Sequence, residues 1–219
     1  MRLAAGDFFF NSWRLVPANL LWGLGAVAVI LALIAWPPLA VPLAVVPVLP
    51  AAGVLRLAAL IARGEPASFS DALDAWHDRP LRTLGLGALM LLAGTILATN
   101  AVGGVLSASM LGWAIATLAA WGLIAGWCWL WCFWPILLDP HRPDERWQDA
   151  ARLAALMLLA YPWRLAMLGV TLGIVLLLST LAFLMLFTVS FAFAALAACR
   201  YVLPAADRLQ DGLAGRAKA

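Results

Sequence analysis

Two pairs of residues in this chain have the types and spacing for chemistry. Asp74 and His77 fall three apart, so on a helix an acid and a base share one face. Cys128 and Cys132 fall four apart, a spacing at which two thiolates could meet a soft metal. Neither pair is completed. His77 and His141 are the only histidines, and no nucleophile motif, phosphate-binding loop or metal-ligand cluster accompanies them. A structural metal site uses about four ligands, and no histidine or third thiol lies near Cys128 and Cys132 in sequence. The acid–base pair reads as a solvated helix face, and the cysteines as small packing residues. Together with Cys199 they lie within or at the end of apolar runs and offer no disulfide framework. No enzyme, cofactor or metal is expected.

A different chemistry is written into 35–53, AWPPLAVPLAVVPVLPAAG, where five prolines interrupt an apolar run. Pro42, Pro47 and Pro50 each lack the amide proton that would bond the carbonyl four residues back, which frees the carbonyls of Pro38, Leu43 and Val46. In lipid an unpaired carbonyl costs several kcal/mol, so it must face protein, water or a ligand. One reading is an unwound span lining a midplane substrate site, as in transporters with broken helices. The other is a kinked helix whose carbonyls are satisfied by Asn19, Asn100 or a hydroxyl, with Asn19 the preferred partner. The hydroxyls of Thr95, Thr99, Thr171, Ser179, Thr180, Thr188 and Ser190 are expected to bond their own helix or a neighbour.

Aromatic chemistry is concentrated in one stretch. Of twelve tryptophans, Trp113, Trp121, Trp127, Trp129, Trp131 and Trp134 fall within 113–134. Trp127, Trp131 and Trp134 share a face at i, i+4, i+7 and suit the headgroup region of a bilayer. Trp121 lies deeper, and a platform for a sugar ring or lipid tail is the competing reading for it.

The elements that must carry these residues follow from composition. Hydrophobic residues make up 65% of the chain and charged residues 11%, against about 45–50% and about 25% in soluble domains. No Asp, Glu, Lys or Arg falls within 15–55, 83–138 or 165–199. A membrane-spanning helix needs about 20 apolar residues, so each run is read as two spans. Trp36-Pro37-Pro38 turns the first hairpin and the small, polar stretch 99–109 the second. With two spans per run, all 14 Lys and Arg residues fall on one side of the membrane. The positive-inside rule makes that side cytoplasmic. The expectation is an all-α polytopic membrane protein of a single domain, 1–219. It has six transmembrane helices at about 15–36, 39–60, 83–100, 110–136, 165–181 and 183–203, arranged as three hairpins, both termini cytoplasmic. The first apolar run is too long for a signal-peptide core, so no cleaved leader is expected. Intramembrane ionisable groups, the usual machinery of ion-driven transport, are missing from these runs. The net charge of +3 is too small to suggest nucleic acid.

Short amphipathic stretches precede the second and third hairpins. In 68–79, Ser68 and Asp71 fit a capping box, and Phe69, Leu73 and Trp76 share a face. In 144–158 the corresponding face is Trp147, Ala151, Ala154 and Leu158. Both are expected to lie on the cytoplasmic leaflet, as elbows for the hairpins or as docking surfaces for a partner.

Asn19-Leu20-Leu21-Trp22, the proline-rich segment ending at Gly53, and Arg63-Gly64-Glu65 leading to Phe69 and Asp71 occur in that order. In this the chain resembles the YesL-type family of bacterial membrane proteins, over about its first 90 residues. It departs from that pattern at Ala51 and Ala52, where the family often carries a threonine. The resemblance implies a bacterial inner-membrane protein that is an accessory or assembly subunit of carbohydrate uptake. Its partners would be the bilayer and another membrane protein or a transporter complex. The second expectation is a carrier for a neutral or amphiphilic solute or lipid, working through the proline-broken span. Candidate residues for that site are Asn19, Pro42, Pro47, Pro50, Asn100 and Trp121.

Overall fold

A computed structural model describes residues 2–78, 80–143, 145–182 and 187–217. Among these every regular element is an α-helix. In chain order they are α1 (Arg2–Ala35), α2 (Pro37–Leu43), α3 (Val48–Arg63), α4 (Phe69–His77), α5 (Pro80–Leu106), α6 (Met110–Leu137), α7 (Trp147–Ala160), α8 (Pro162–Leu181) and α9 (Ser190–Ala217). Arg79 and Asp144, expected at the edges of the two amphipathic stretches, lie outside the described residues. So do 183–186, at the start of the expected sixth span, and Lys218 among the terminal charges.

Four of the described helices, α1, α5, α6 and α8, are long and apolar enough to cross a membrane, and α2 with α3 makes a fifth if that bent pair is one span. The chain is thus an all-helical protein suited to a membrane. α9 is not in that set. It is alanine-rich and carries Arg200 and Asp207, and the most apolar part of the expected last span precedes it.

The proline segment forms two helices meeting at 41°. Trp36 breaks from α1 with φ −155° and ψ 89°, and Pro37 and Pro38 occupy the first positions of α2. There a missing amide proton costs nothing, because those amides have no intrahelical partner. Pro47 is the N-cap of α3, and Pro50 sits in its first turn for the same reason. Between the helices the backbone satisfies much of itself: Ala44 N–H donates to Ala40 O at 2.9 Å, Val45 to Pro42 O at 3.3 Å and Val46 to Leu43 O at 3.0 Å. Leu43's carbonyl, expected to need an outside donor, is thereby taken by a tight turn.

α9 is the axis of the packed body. Ala192, Ala194, Ala195, Leu196, Ala198 and Cys199 are wholly buried, with α1, α3, α6, α7 and α8 packed around them. Small side chains let helices approach closely where lipid, as apolar as leucine, gives no hydrophobic drive for association. α5 and the first half of α6 are different. They pack chiefly on each other, along a seam of small residues. A Cβ on Gly104 would stand 2.4 Å from the Gly112 carbonyl oxygen, so only glycine permits this approach. Ser109 Oγ accepts the Gly112 N–H at 3.0 Å and closes the turn.

Both amphipathic stretches pack on the helical body. The Ser68–Asp71 capping box forms, with Ser68 N–H donating to Asp71 Oδ2 at 2.6 Å. The side of α4 carrying Ala72, Ala75 and Trp76 is pressed against α3, where a Cβ on Gly53 would meet the Ala72 carbonyl at 2.6 Å and Trp76 Nε1 at 2.9 Å. α7 buries Ala150, Leu153, Ala154 and Met157, a stripe rotated from the expected Trp147–Ala151–Ala154–Leu158 face. Trp129 donates its indole N–H to Ala151 O at 3.2 Å and ties α6 to this helix.

Candidate functional site

The six residues singled out from sequence are not gathered into one site. Asn19 is completely buried, and its Oδ1 accepts the Ala192 N–H at 2.8 Å. Ala192 is the third residue of α9, whose first amides have no intrahelical acceptor. The carboxamide oxygen on α1 therefore caps the central helix from outside, whereas the expected service to proline-freed carbonyls concerned the amide protons. Pro42 is exposed, and Pro47 and Pro50 are half-buried. A Cβ on Gly25 of α1 would stand 3.3 Å from the Pro47 ring. Asn100 is exposed on the outlying half of α5, and Trp121 is 65% exposed on α6. The Trp121 ring, the candidate for an aromatic platform, thus faces outward from the chain.

An aromatic wall stands about two to four turns further along α6. There α3, α5, α6 and the start of α9 enclose an apolar cleft of about 230 Å³. Val48, Ala51 and Leu55 form one wall, Gly87 and Met90 another, and Trp127, Trp131, Trp134 and Phe191 the third. Val48 directly follows Pro47 and Ala51 directly follows Pro50, so the bend that the prolines impose sets the angle of this wall. Gly87 admits it: a Cβ there would lie 2.6 Å from Val48 Cγ1. The tryptophans that read as headgroup anchors are held as a lining instead. Trp127 donates its indole N–H to the Gly169 carbonyl of α8 at 2.9 Å and meets Trp131 edge-on, centroids 5.5 Å apart. Trp131 in turn meets Phe191 at 5.8 Å, and Phe191 stacks on Trp22 of α1 at 4.8 Å.

Trp131 is 6% exposed, and its indole N–H has no acceptor among the described residues. A buried donor left unpaired costs about 1–3 kcal/mol. The cleft otherwise offers only hydrocarbon and ring faces. It holds no nucleophile and no acid or base, and its volume lies below the roughly 300–1,000 Å³ of pockets for drug-sized molecules. It has the chemistry and size to take a chain.

Charge is collected at one end of the body. Asp139 is buried and accepts from Arg63 through both Nη2 and, at 3.3 Å, Nε. Arg142 Nε stands 3.4 Å from the same carboxylate. Asp207 takes Arg63 Nη1 at 2.5 Å and Arg142 Nη2 at 2.6 Å. Two guanidiniums and two carboxylates so tie the end of α3 and the α6–α7 loop to α9. Arg63, and after it Arg142, holds the Asp207 carboxyl below the usual carboxylate range. Arg200 Nε adds a bond to Asp7 Oδ2 at 2.6 Å, joining α9 to the start of α1. Glu145 Oε2 also lies 3.3 Å from Arg142 Nη1, and the ionic groups answer one another, which suits a clasp rather than a route for ions. Among the described residues no group of three or more His, Cys, Asp or Glu is placed to hold a metal.

Sequence reasoning missed Trp131, Phe191 and Asp139 as structural centres. The i, i+4, i+7 spacing of Trp127, Trp131 and Trp134 was the available signal for the first. Asp139 stands immediately after an uncharged run of over fifty residues, a signal only in retrospect. No family model, curated protein or solved structure matches the chain.

Proposed function

We propose that this is a non-catalytic integral membrane protein that holds the hydrocarbon chain of an amphiphile in the cleft between α3, α5 and α6. The observation that carries the reading is the wall of Trp127, Trp131, Trp134 and Phe191, held by the Trp127 indole hydrogen bond and by ring contacts from Trp127 to Trp131 and Trp131 to Phe191, around an apolar space. Fixed aromatic surface is favourable for an apolar chain because little ordering is left to do on binding. In this reading the chain crosses a bacterial inner membrane six times, with both termini and the charged clasp on the cytoplasmic side, as the distribution of Lys and Arg favours.

The test is photolabelling with a diazirine-bearing fatty chain. Label is expected in peptides of α3 and α6, and Ala51→Phe, which fills the cleft from a half-buried position, is expected to reduce it at least fivefold. Unchanged labelling of a folded Ala51→Phe protein would overturn the reading.

A second reading follows the YesL resemblance: an accessory subunit of carbohydrate uptake, docked on another membrane protein. What favours it is α5, whose most apolar stretch is only 6% buried within the chain. Lipid covers such a surface equally well, so the cleft is the more specific guide.

A further inference from the structure

Below the aromatic cleft lies a second cavity, of about 390 Å³, lined by Arg56, Asp78, Arg82, Thr83, Arg142 and Glu145 among others. Its relation to the first is fixed by all three helices that form the walls. On α3 the apolar cleft ends at Leu55 and the charged cavity begins at Arg56. On α6 the step is from Trp134 to Leu137, about one turn later. α5 runs the opposite way, and there the charged cavity touches Thr83 and the apolar cleft Gly87, one turn further on. The two spaces thus adjoin along the same three helices, hydrocarbon above and charge below, and together make up the groove.

The charges of the lower length are balanced. Among the described lining residues, Arg56, Arg82 and Arg142 face Asp78, Asp139 and Glu145. Asp139 and Arg142 belong to the clasp. Arg56 and Asp78 pair with each other at the more open side, their side chains 29% and 64% exposed. An ion pair this exposed contributes little, typically about 0–1 kcal/mol, so exchanging each partner for an outside charge is cheap. A guanidinium is suited to a phosphate, which it meets with two parallel hydrogen bonds, and a carboxylate to an ammonium.

We infer that this groove is a binding site for a zwitterionic phospholipid, with one acyl chain in the tryptophan cleft, the phosphate on Arg56 and the head-group ammonium on Asp78. The inference rests on the chain-binding reading above and adds the head group to it. A single acidic or basic surface would select a head group of one sign, whereas this cavity offers one partner for each charge of a zwitterion.

The experiment uses the full-length protein in vesicles of synthetic phosphatidylcholine, doped with one of three photolipids. All carry the same diazirine acyl chain and differ only in the head: phosphatidylethanolamine, phosphatidylglycerol or diacylglycerol. Labelling by the ethanolamine lipid is expected to exceed that by diacylglycerol at least fivefold and to exceed that by the glycerol lipid. Arg56→Gln is expected to abolish the advantage over diacylglycerol, and Asp78→Asn to turn the preference toward the glycerol lipid. Asp78 is exposed and Arg56 partly so, and diacylglycerol labelling serves as the control for a folded cleft. Equal labelling by all three lipids would overturn the head-group site while leaving chain binding intact. Preference for the glycerol lipid in the unmodified protein would overturn the zwitterion. Absence of labelling by any of them would overturn both.

Discussion

The body around α9 and the outlying half of the α5–α6 hairpin are built from the same apolar alphabet, yet they are held together differently. In the body, alanines bring helices close, and the contacts are then made specific by polar groups at fixed points: Asn19 on Ala192, Arg63 and Arg142 on Asp139 and Asp207, Arg200 on Asp7. In the hairpin, Gly104 against Gly112 sets the crossing, and the threonines bond within their own helix, Thr95 to Leu91 O and Thr117 to Trp113 O, both at 2.8 Å. The difference teaches where the membrane is asked to complete the fold. Removing a polar partner should unfold the body, whereas the hairpin should respond mainly to changes in its glycine seam. The cleft lies where these two regions meet, with Gly87, Trp127 and Trp131 at the point where the hairpin leaves the body.

The sharpest way to break this contrast is Asp139→Ala. It leaves Arg63 and Arg142 around a buried vacancy in charge, a change that costs about 3–5 kcal/mol when one partner of a buried pair is lost. Thermal unfolding in detergent is expected to show a large fall in Tm, and an unchanged Tm would remove the clasp from the fold's energetics. Asn19→Leu is expected next, at about 1–3 kcal/mol, because it leaves the buried Ala192 amide without that acceptor. Hydrogen exchange at the first turn of α9 should rise in this variant.

Gly104→Ala addresses the other region. Its methyl would press on the Gly112 carbonyl, an overpacking of about 1–3 kcal/mol confined to the hairpin. Cysteine pairs placed across α5 and α6 are expected to cross-link more slowly, while the Tm of the body stays within about 0.5 kcal/mol of its starting stability, as distant sites add independently. Equal loss in both regions would show them to be one cooperative unit.

The smallest expected effect is a pH dependence. Asp207 has its folded-state proton affinity lowered by Arg63 and then Arg142. A lowered folded value means stability present above the unfolded value, about 3.9 for an aspartate, and lost as pH falls through the folded one. Stability should therefore decline below about pH 4, and Asp207→Asn should flatten that decline. A stability curve in which the variant keeps the full acid sensitivity would assign it to other carboxylates.

The long uncharged runs were legible because charge is costly in lipid, and the helices α1, α5, α6 and α8 stand where the runs required. The helix break at Trp36–Pro38 and the Ser68–Asp71 box were legible for local reasons, being decided by residues within one turn of each other. Asn19's partner was not, since Ala192 is 173 positions away and a buried carboxamide carries no mark of which neighbour it will meet. The buried face of α7 is turned by a fraction of a turn from the expected one, because its neighbours are α6, α8 and α9, which amphipathicity within α7 does not specify. Trp121 and Trp131 are alike in composition and ten residues apart; only packing against Phe191 and α8 makes one a lining residue and leaves the other outside.

Native mass spectrometry of the protein extracted gently from its own membranes, beside the Ala51→Phe variant, tests the central claim most directly. The expected result is a retained lipid mass of one per chain that is lost when Ala51 becomes phenylalanine. A protein arriving free of lipid but bound in fixed stoichiometry to another polypeptide would contradict it.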